Sequence, residues 1–251
     1  MKTRLFLILL LALTNAVCGE DQPWRSLFNG KDFTGWNILG GVGHAWVENG
    51  EMRGHMVRGI PEHTLIHTEE KFDDFILELE SYQTGGFNSG ILFRSPPAPP
   101  EAKAPLYGYQ VKIDPSPKRL WTGGIFEDFG DSWHWYYTLK NDERARAAFQ
   151  PNQWVRFRIE AIGSVLKVWV NGVPTANLRH DAHTEGVIAL KIHYLRENDK
   201  TGAEQNTIQF RNIRIITDHP ERYALPMDIP TLDPDPTEEI KYVGGRPPSP
   251  K

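Results

Sequence analysis

The sequence has a single cysteine among its 251 residues, at position 18. One cysteine forms no disulfide bond within the chain, so stability must come from a packed core rather than from cross-links. An excess of basic charge is lacking as well, because the formal net charge is −4. This balance argues against a nucleic-acid-binding protein, for which a basic stripe is expected.

Long hydrophobic runs are also lacking, and the short one at the N-terminus is typical of a signal peptide. MKTRLFLILLLALTNAVCGE has a basic start, a brief apolar run and small residues at its end. We expect residues 1–18 to be removed and the protein to be exported, either to the periplasm or outside the cell. A lipid anchor on Cys18 is less favoured than cleavage, since a lipoprotein signal prefers a smaller residue than Val17 just before its cysteine. No membrane span is expected.

Helical periodicity is scarce, and most segments instead alternate apolar and polar residues with a period of two. One apolar face per strand predicts an all-β fold, with two antiparallel sheets packed face to face as a β-sandwich. The segments that carry this pattern are FDDFILELESY (72–82), YGYQVKID (107–114), WVRFRIEAIGSVLKVWVNGV (154–173), GVIALKIHYL (186–195) and NTIQFRNIRII (206–216).

Proline separates the predicted domain from its surroundings. We expect one domain over residues 19–218, interrupted by a proline-rich surface insertion at residues 95–105. Residues 219–251 form a polar, proline-rich C-terminal tail that either wraps the surface or lacks order. Residues 142–149 are the one candidate for a short helix.

Several motifs in a fixed order resemble a known family. SLFNGKDFTGW (26–36) is followed by FDDFILELE, GGFNSGILFRS (85–95), YGYQVKID, TGGIF (122–126), GVIALKIH and IQFRNIRI. Each motif is weakly specific, but their order over residues 24–217 resembles the 3-keto-disaccharide hydrolase domain family. The resemblance implies a concanavalin A-like jelly roll. It also implies action on glycosides whose glucose unit is oxidised at carbon 3.

The chain departs from that family at two positions of one predicted strand. The family commonly has Glu where this sequence has Gln110, and Gln where it has Lys112. The two differences remove a carboxylate and add a cation.

The chemistry of a 3-keto sugar sets what such a site must contain. The keto group makes the hydrogen on carbon 2 acidic, so a base can form an enolate, and the bond to the aglycone then breaks. Water adds afterwards to complete a net hydrolysis. The site needs a base of near-neutral pKa, a cation or metal for the enolate oxygen, and a proton donor. Ordinary glycosidases use two carboxylates instead.

Five polar side chains on the predicted strands are candidates for catalysis. Histidine titrates nearest the working range, which favours His193 as the base over a simple sugar-binding role. Lys112 is the candidate for the cation that stabilises the enolate oxygen. Asp114 suits an acid, a base or a metal ligand, or else begins a turn before Pro115. The remaining candidates are two carboxylates, Glu127 and Glu80, of which Glu80 also fits a solvated sheet face.

Substrate binding is predicted for residues that precede or share these strands. Alternation places Arg94 opposite to Ile91 and Phe93, so we expect it to point into a hollow and hold Glu80 or a substrate oxygen. A glycine-rich hairpin with a solvent-facing Arg94 is the alternative. The other candidates are Asn88 and Ser89 in a tight turn, and Gln110.

Aromatic residues are dense in DSWHWYY (131–137). We expect Trp133 or Trp135 to stack on a sugar ring beside His134, with burial as a small core under the proline-rich insertion as the alternative. A divalent metal is compatible with the available oxygen and nitrogen ligands, but no tight ligand spacing identifies one. HTLIH (63–67) places its two histidines on one face of a strand, where they could bind a metal, but a solvent-exposed edge strand explains the same pattern. No nucleotide cofactor is expected.

Three hypotheses of function follow. The first is an exported enzyme that cleaves 3-keto-glycosides, with a sugar as substrate, no nucleic acid partner, and a glycoside 3-dehydrogenase as partner in the pathway. The second is a lectin-like carbohydrate-binding module, which the differences at Gln110 and Lys112 favour. The third is a conventional glucanase, but Glu78 and Glu80 lack the third acid of that strand motif.

Overall fold

The computed structural model describes residues 23–59, 62–86, 88–98, 105–116, 118–128, 133–195, 197–198, 206–234 and 240–241. The predicted signal peptide, Cys18 and parts of the proline-rich insertion and C-terminal tail lie outside these ranges. Among the residues within them, no helix has the length and apolar character needed to cross a membrane.

The described residues form sixteen strands, one short α-helix and a 3₁₀ turn at Pro220–Tyr223. The helix α1, Glu143–Ala147, lies within the predicted helical segment, and the Asp142 side chain caps it by accepting a hydrogen bond from the Ala145 amide at 2.8 Å. The strands are β1 Arg25–Ser26, β2 Trp36–Leu39, β3 His44–Glu48, β4 Glu51–His55, β5 Thr64–Phe72, β6 Phe75–Gln83, β7 Ser89–Ser95, β8 Tyr109–Ile113, β9 Ile125–Asp128, β10 Trp133–Tyr137, β11 Val155–Ile162, β12 Val165–Val170, β13 Val173–Arg179, β14 Gly186–Ile192, β15 Thr207–Ile216 and β16 Ile240–Lys241.

These strands form two antiparallel sheets. Sheet A has the order β13-β12-β11-β6-β15-β4-β3, with β1 also paired to β15. Sheet B has the order β16-β10-β9-β8-β7-β14-β5-β2. The predicted all-β, two-sheet antiparallel sandwich is confirmed.

One hydrophobic core fills the space between the sheets. Leu77 and Phe157 of sheet A and Phe93 and Val111 of sheet B are fully buried in it. Residues at the alternate positions of the same strands therefore lie on the two outer faces, one per sheet. The outer face of each sheet is defined here as the face turned away from the other sheet.

The chain after β15 crosses the outer face of sheet A. The Arg158 guanidinium donates to the carbonyl of Tyr223 at 2.7 Å, and the amide of Leu225 donates to Glu160 at 2.9 Å. Further on, Leu232 forms a parallel bridge with Leu178 of β13, and β16 then pairs with β10 at the edge of sheet B.

Candidate functional site

Two lysines face each other across a glycine on the outer face of sheet B. Lys191 of β14 is paired with Gly90 of β7, and Gly90 is paired with Lys112 of β8. Two strand spacings separate the lysine Cα atoms, which is about 10 Å. Both side chains are buried, at 1% and 5% exposure. The register therefore concentrates positive charge around one small residue.

Gly90 makes room for the side chain of Gln110. A Cβ atom at Gly90 would lie 2.5 Å from both Cδ and Nε2 of Gln110. The amide of Gln110 thus lies directly over the β7 backbone at Gly90, the residue with which Lys112 is paired. A glycine in a strand interior weakens the strand but permits such a close approach, and this explains the loose sequence before Ile91.

Two histidines adjoin this lysine pair. His63 precedes β5 and His193 follows β14, and their ring centroids are 4.5 Å apart at 66°. His193 Nδ1 lies 2.7 Å from the carbonyl oxygen of Tyr194, and His63 Nδ1 lies 3.3 Å from the amide nitrogen of Tyr194. A carbonyl requires a donor and an amide requires an acceptor. In the neutral rings, His193 therefore carries its proton on Nδ1 and His63 carries its proton on Nε2.

The surroundings keep His193 uncharged. Burial lowers the pKa of His193 well below 6.5, and the electrostatic influence of the neighbouring His63, Lys191 and Lys112 lowers it further. Its hydrogen bond to the Tyr194 carbonyl acts in the opposite direction. A neutral His193 with a proton on Nδ1 has a basic lone pair on Nε2, as a general base requires.

The predicted position of Arg94 in the hollow is wrong. Arg94 has a left-handed backbone, with φ +46°, and register shifts occur beside it between β7 and β14. Such a bulge breaks the alternation on which the prediction depended. The buried guanidinium donates to the carbonyls of Asp73 and Gly163, each at 2.8 Å, and to Asp74 at 2.7 Å. Arg94 thus links two turns.

Glu80 also lies away from the lysines, on the outer face of sheet A. Its carboxylate accepts from Arg211 at 2.7 Å and from Asn212 at 3.1 Å. The prediction that Arg94 binds Glu80 is therefore wrong. Alternation within a strand cannot reveal which sheet the strand joins.

Glu127 and His134 point to the inner side of sheet B, because Phe126 and Trp135 occupy the alternate outer positions. Glu127 accepts from His183 Nε2 at 2.7 Å and from the Tyr136 hydroxyl. The ring of His134 lies 4.3 Å from that of Tyr136. The structure therefore separates Glu127 and His134 from Lys112 and His193, contrary to the predicted grouping.

Trp135 is 1% exposed and belongs to a small separate core, so it offers no open ring for a sugar. The core consists of Trp121, Phe126, Trp135, Leu139 and Ala145. The predicted alternative of burial therefore holds for Trp135, although its partners come from the region of α1. Trp133 remains partly exposed and stacks on Phe126 at 6.1 Å.

Asp114 and Ser89 hold local structure. Asp114 forms an ion pair with Arg119 at 2.9 Å and accepts from the Ser116 amide at 3.1 Å, as the turn interpretation expected. The Ser89 hydroxyl donates to the carbonyl of Lys191 at 2.5 Å and ties β7 to β14. Asn88 lies one residue before β7, and alternation places it on the side of Gly90.

Lys191 and His63 were missed as candidates. Lys191 stands two residues before His193 and shares its face, so the alternation contained the signal. His63 appears in HTLIH, but only the register places it beside His193. Within the described ranges, no group of three or more His, Cys, Asp or Glu side chains is arranged to hold a metal ion.

Comparison with known proteins agrees with this fold. A candidate glycosyl hydrolase from Parabacteroides distasonis ATCC 8503 is 20% identical, with a TM-score of 0.56, over 77% of this chain and 93% of that one. A second from the same organism is 19% identical, with a TM-score of 0.51, over 78% and 100%. These likenesses show the fold. No curated protein matches the sequence.

A family model also matches, over residues 23–216, and its description is 3-keto-alpha-glucoside-1,2-lyase-like domain. The match covers most of both sheets, including the lysine and histidine positions on the outer face of sheet B. The family supports a carbohydrate-active hydrolase or a carbohydrate-binding module. By this match the chain belongs to the 3-keto-alpha-glucoside-1,2-lyase-like domain family.

Proposed function

We propose that this protein cleaves 3-keto-glycosides by elimination and that the reaction takes place on the outer face of sheet B. The observation that carries the proposal is His193, which shares the outer face of sheet B with Lys112 and Lys191 and whose Nδ1 is bound to the Tyr194 carbonyl, so that Nε2 is left to act as the base. The family of the chain supplies the substrate class. The 3-keto-disaccharides are the members of this class that we expect.

His193 is the base in this mechanism. Its Nε2 takes the proton from carbon 2 of the sugar, and the electron pair of that bond forms the enolate of the 3-keto group. The enolate then re-forms the carbonyl, a double bond forms between carbons 1 and 2, and the bond from carbon 1 to the aglycone oxygen breaks. A proton donated to that oxygen completes the release. Water adds to the unsaturated sugar in a later step.

The neighbouring groups match the charges that develop. A lysine ammonium stabilises an enolate oxygen, and Lys112 and Lys191 flank the same point of the sheet. His63 carries its ring proton on Nε2 and suits the role of donor to the leaving oxygen. Each role is assigned to a different side chain, so base and acid need not exchange.

The test uses a 3-keto-disaccharide and its unoxidised parent as matched substrates. We expect sugar release from the keto form alone, accompanied by exchange of the carbon-2 hydrogen with solvent deuterium in NMR spectra. Release from the unoxidised parent would instead support a conventional glycosidase. Exchange without release would limit the protein to the first step.

A carbohydrate-binding module is the second candidate. It is favoured by Gln110, since the resemblance described above implies a carboxylate at this position and this chain has a neutral amide. Binding of the keto sugar without hydrogen exchange would support this candidate and contradict the first.

We also propose that the protein is exported and acts after an oxidation step. The supporting features are the signal-like sequence of residues 1–18 and the need for a keto group that glycosides do not ordinarily carry. The supplying reaction is the oxidation of a secondary alcohol at carbon 3, which is the reaction of a glycoside 3-dehydrogenase.

A further inference from the structure

Buried polar atoms without partners concentrate on the outer face of sheet B. Four such side-chain atoms in the described part of the chain belong to Asn88, Gln110 and Trp135. Native proteins leave few such atoms, because a buried polar group without a partner loses its hydrogen bonds to water and gains none in return. Gln110 is the extreme case. It is 1% exposed, and neither its Nε2 nor its Oε1 is hydrogen-bonded.

Packing alone holds the Gln110 amide in this position. It lies over Gly90, where an added Cβ would approach it to 2.5 Å. The lysines on either side of Gly90 and the buried Asn88 Oδ1 belong to the same region of the sheet. An amide that is positioned but unsatisfied, beside the proposed base and cations, indicates a binding function rather than a contribution to stability.

The donors and acceptors that lack partners define the chemistry of the missing group. Gln110 Nε2 needs an acceptor, whereas Gln110 Oε1 and Asn88 Oδ1 need donors. A hydroxyl group both donates and accepts. A carboxylate only accepts, so it would leave the two amide oxygens unsatisfied and would bring its lone pairs towards theirs. The nearby lysines attract anions of any kind, and the discrimination therefore has to come from the amides.

We propose that Gln110 determines specificity and selects a neutral, polyhydroxylated sugar ring over a ring that bears a carboxylate. This inference rests on the proposed function for the location of the sugar. It goes beyond the proposed function by specifying the class of sugar that is bound and the residue that recognises it. Glutamate at this position would lack the N–H donor and would repel a carboxylate-bearing or carbonyl acceptor, so the amide itself is what the proposed selection requires.

The test compares two substrates, a 3-keto-glucoside with a neutral hydroxymethyl group and the corresponding 3-keto-glucuronoside. For the wild-type protein we expect kcat/KM to favour the neutral sugar by at least 10-fold. Gln110→Met keeps the volume but removes the amide. We expect it to lower kcat/KM for the neutral sugar about 10- to 100-fold and to abolish the preference, because the unpaired polar group sets the discrimination.

Two further measurements separate a binding role from a structural one. The melting temperature of Gln110→Met should stay the same or rise, because the variant removes unsatisfied buried atoms. Gly90→Ala, which displaces the amide without changing it, should lose the same preference. An unchanged preference in both variants, or a wild-type preference for the glucuronoside, overturns the inference.

Binding of unreactive methyl glucoside, measured by calorimetry, distinguishes this inference from the proposed function. If wild-type protein binds it, Gln110→Met does not, and neither keto sugar is cleaved, the proposed function fails and the role of Gln110 stands. If Gln110→Met cleaves both keto sugars as the wild type does, the proposed function stands and the inference fails. Absence of both binding and cleavage contradicts both.

Discussion

The two outer faces of the sandwich have similar sequence patterns but opposite chemistry. On sheet A, polar positions of β6, β11 and β15 carry carboxylates and arginines that pair with one another. Glu78 accepts from Arg158 at 3.0 Å and from Arg214 at 2.6 Å. Although burial raises the pKa of Glu78, the hydrogen bonds and positive charges of these arginines lower it below its ordinary value overall.

On sheet B, the corresponding positions carry lysines, histidines and amides. Gln110 has no hydrogen-bond partner, and the pKa of His193 is lowered first by burial and then by its basic neighbours. The charges of Glu78, Arg158 and Arg214 on the first face pair with one another, whereas the Gln110 amide on the second face has no hydrogen-bond partner. The difference agrees with the proposal that sheet A serves stability and sheet B serves binding. Substitutions on the two faces should therefore change different measurements.

The largest expected effect is on activity and comes from His193→Asn. The asparagine amide still donates to the carbonyl of Tyr194 but supplies no base. We expect kcat/KM for a 3-keto-disaccharide to fall about 10²- to 10⁴-fold, the usual contribution of a positioned base. The melting temperature should change little.

His67→Asn is the matched control, because His67 Nδ1 also donates to the carbonyl of the next residue, Thr68, at 2.9 Å. We expect kcat/KM to change by less than about 3-fold, since no proton transfer is assigned to His67.

In the wild type, the acidic limb of the pH profile should lie below pH 6.5, because the pKa of His193 is lowered and the ring loses its basic form only on protonation. A limb at higher pH, or equal losses in the two variants, would exclude His193 as the base.

The next effect concerns stability and comes from Arg94→Met. The variant leaves the carbonyls of Asp73 and Gly163 without their donor and separates Asp74 from its partner. We expect the free energy of unfolding to fall by about 3 kcal/mol, measured by urea denaturation. Asp74→Asn keeps an acceptor for Arg94 and should cost about 1 kcal/mol.

Activity of the folded Arg94→Met variant also tests the sequence-based expectation of substrate binding. Retained kcat/KM per folded molecule agrees with the structural role. A large rise in KM without loss of stability would restore the original prediction.

The fold could be predicted from sequence because alternation follows from strand geometry alone. Alternation also predicts that His193 and Lys112 lie on the polar side of their segments, and the register of β14 and β8 places both on the outer face of sheet B. Arg94 could not be placed, because its left-handed backbone reverses the alternation at one residue. Glu80 and Glu127 could not be placed either, since strand pairing and the inner or outer sense of a face depend on the tertiary register. The unsatisfied amide of Gln110 is visible only in three dimensions.

The smallest expected effect comes from Glu80→Gln on the outer face of sheet A. Glu80 and Arg211 are 25% and 35% exposed, so water screens the ion pair between them. We expect a loss of about 0.5 kcal/mol in the free energy of unfolding, which declines further at high salt, and unchanged kcat/KM. Glu78→Gln should cost more, because Glu78 is 13% exposed and pairs with two arginines. A 10-fold loss of kcat/KM in Glu80→Gln would contradict the division of roles between the two faces and return Glu80 to the candidate site.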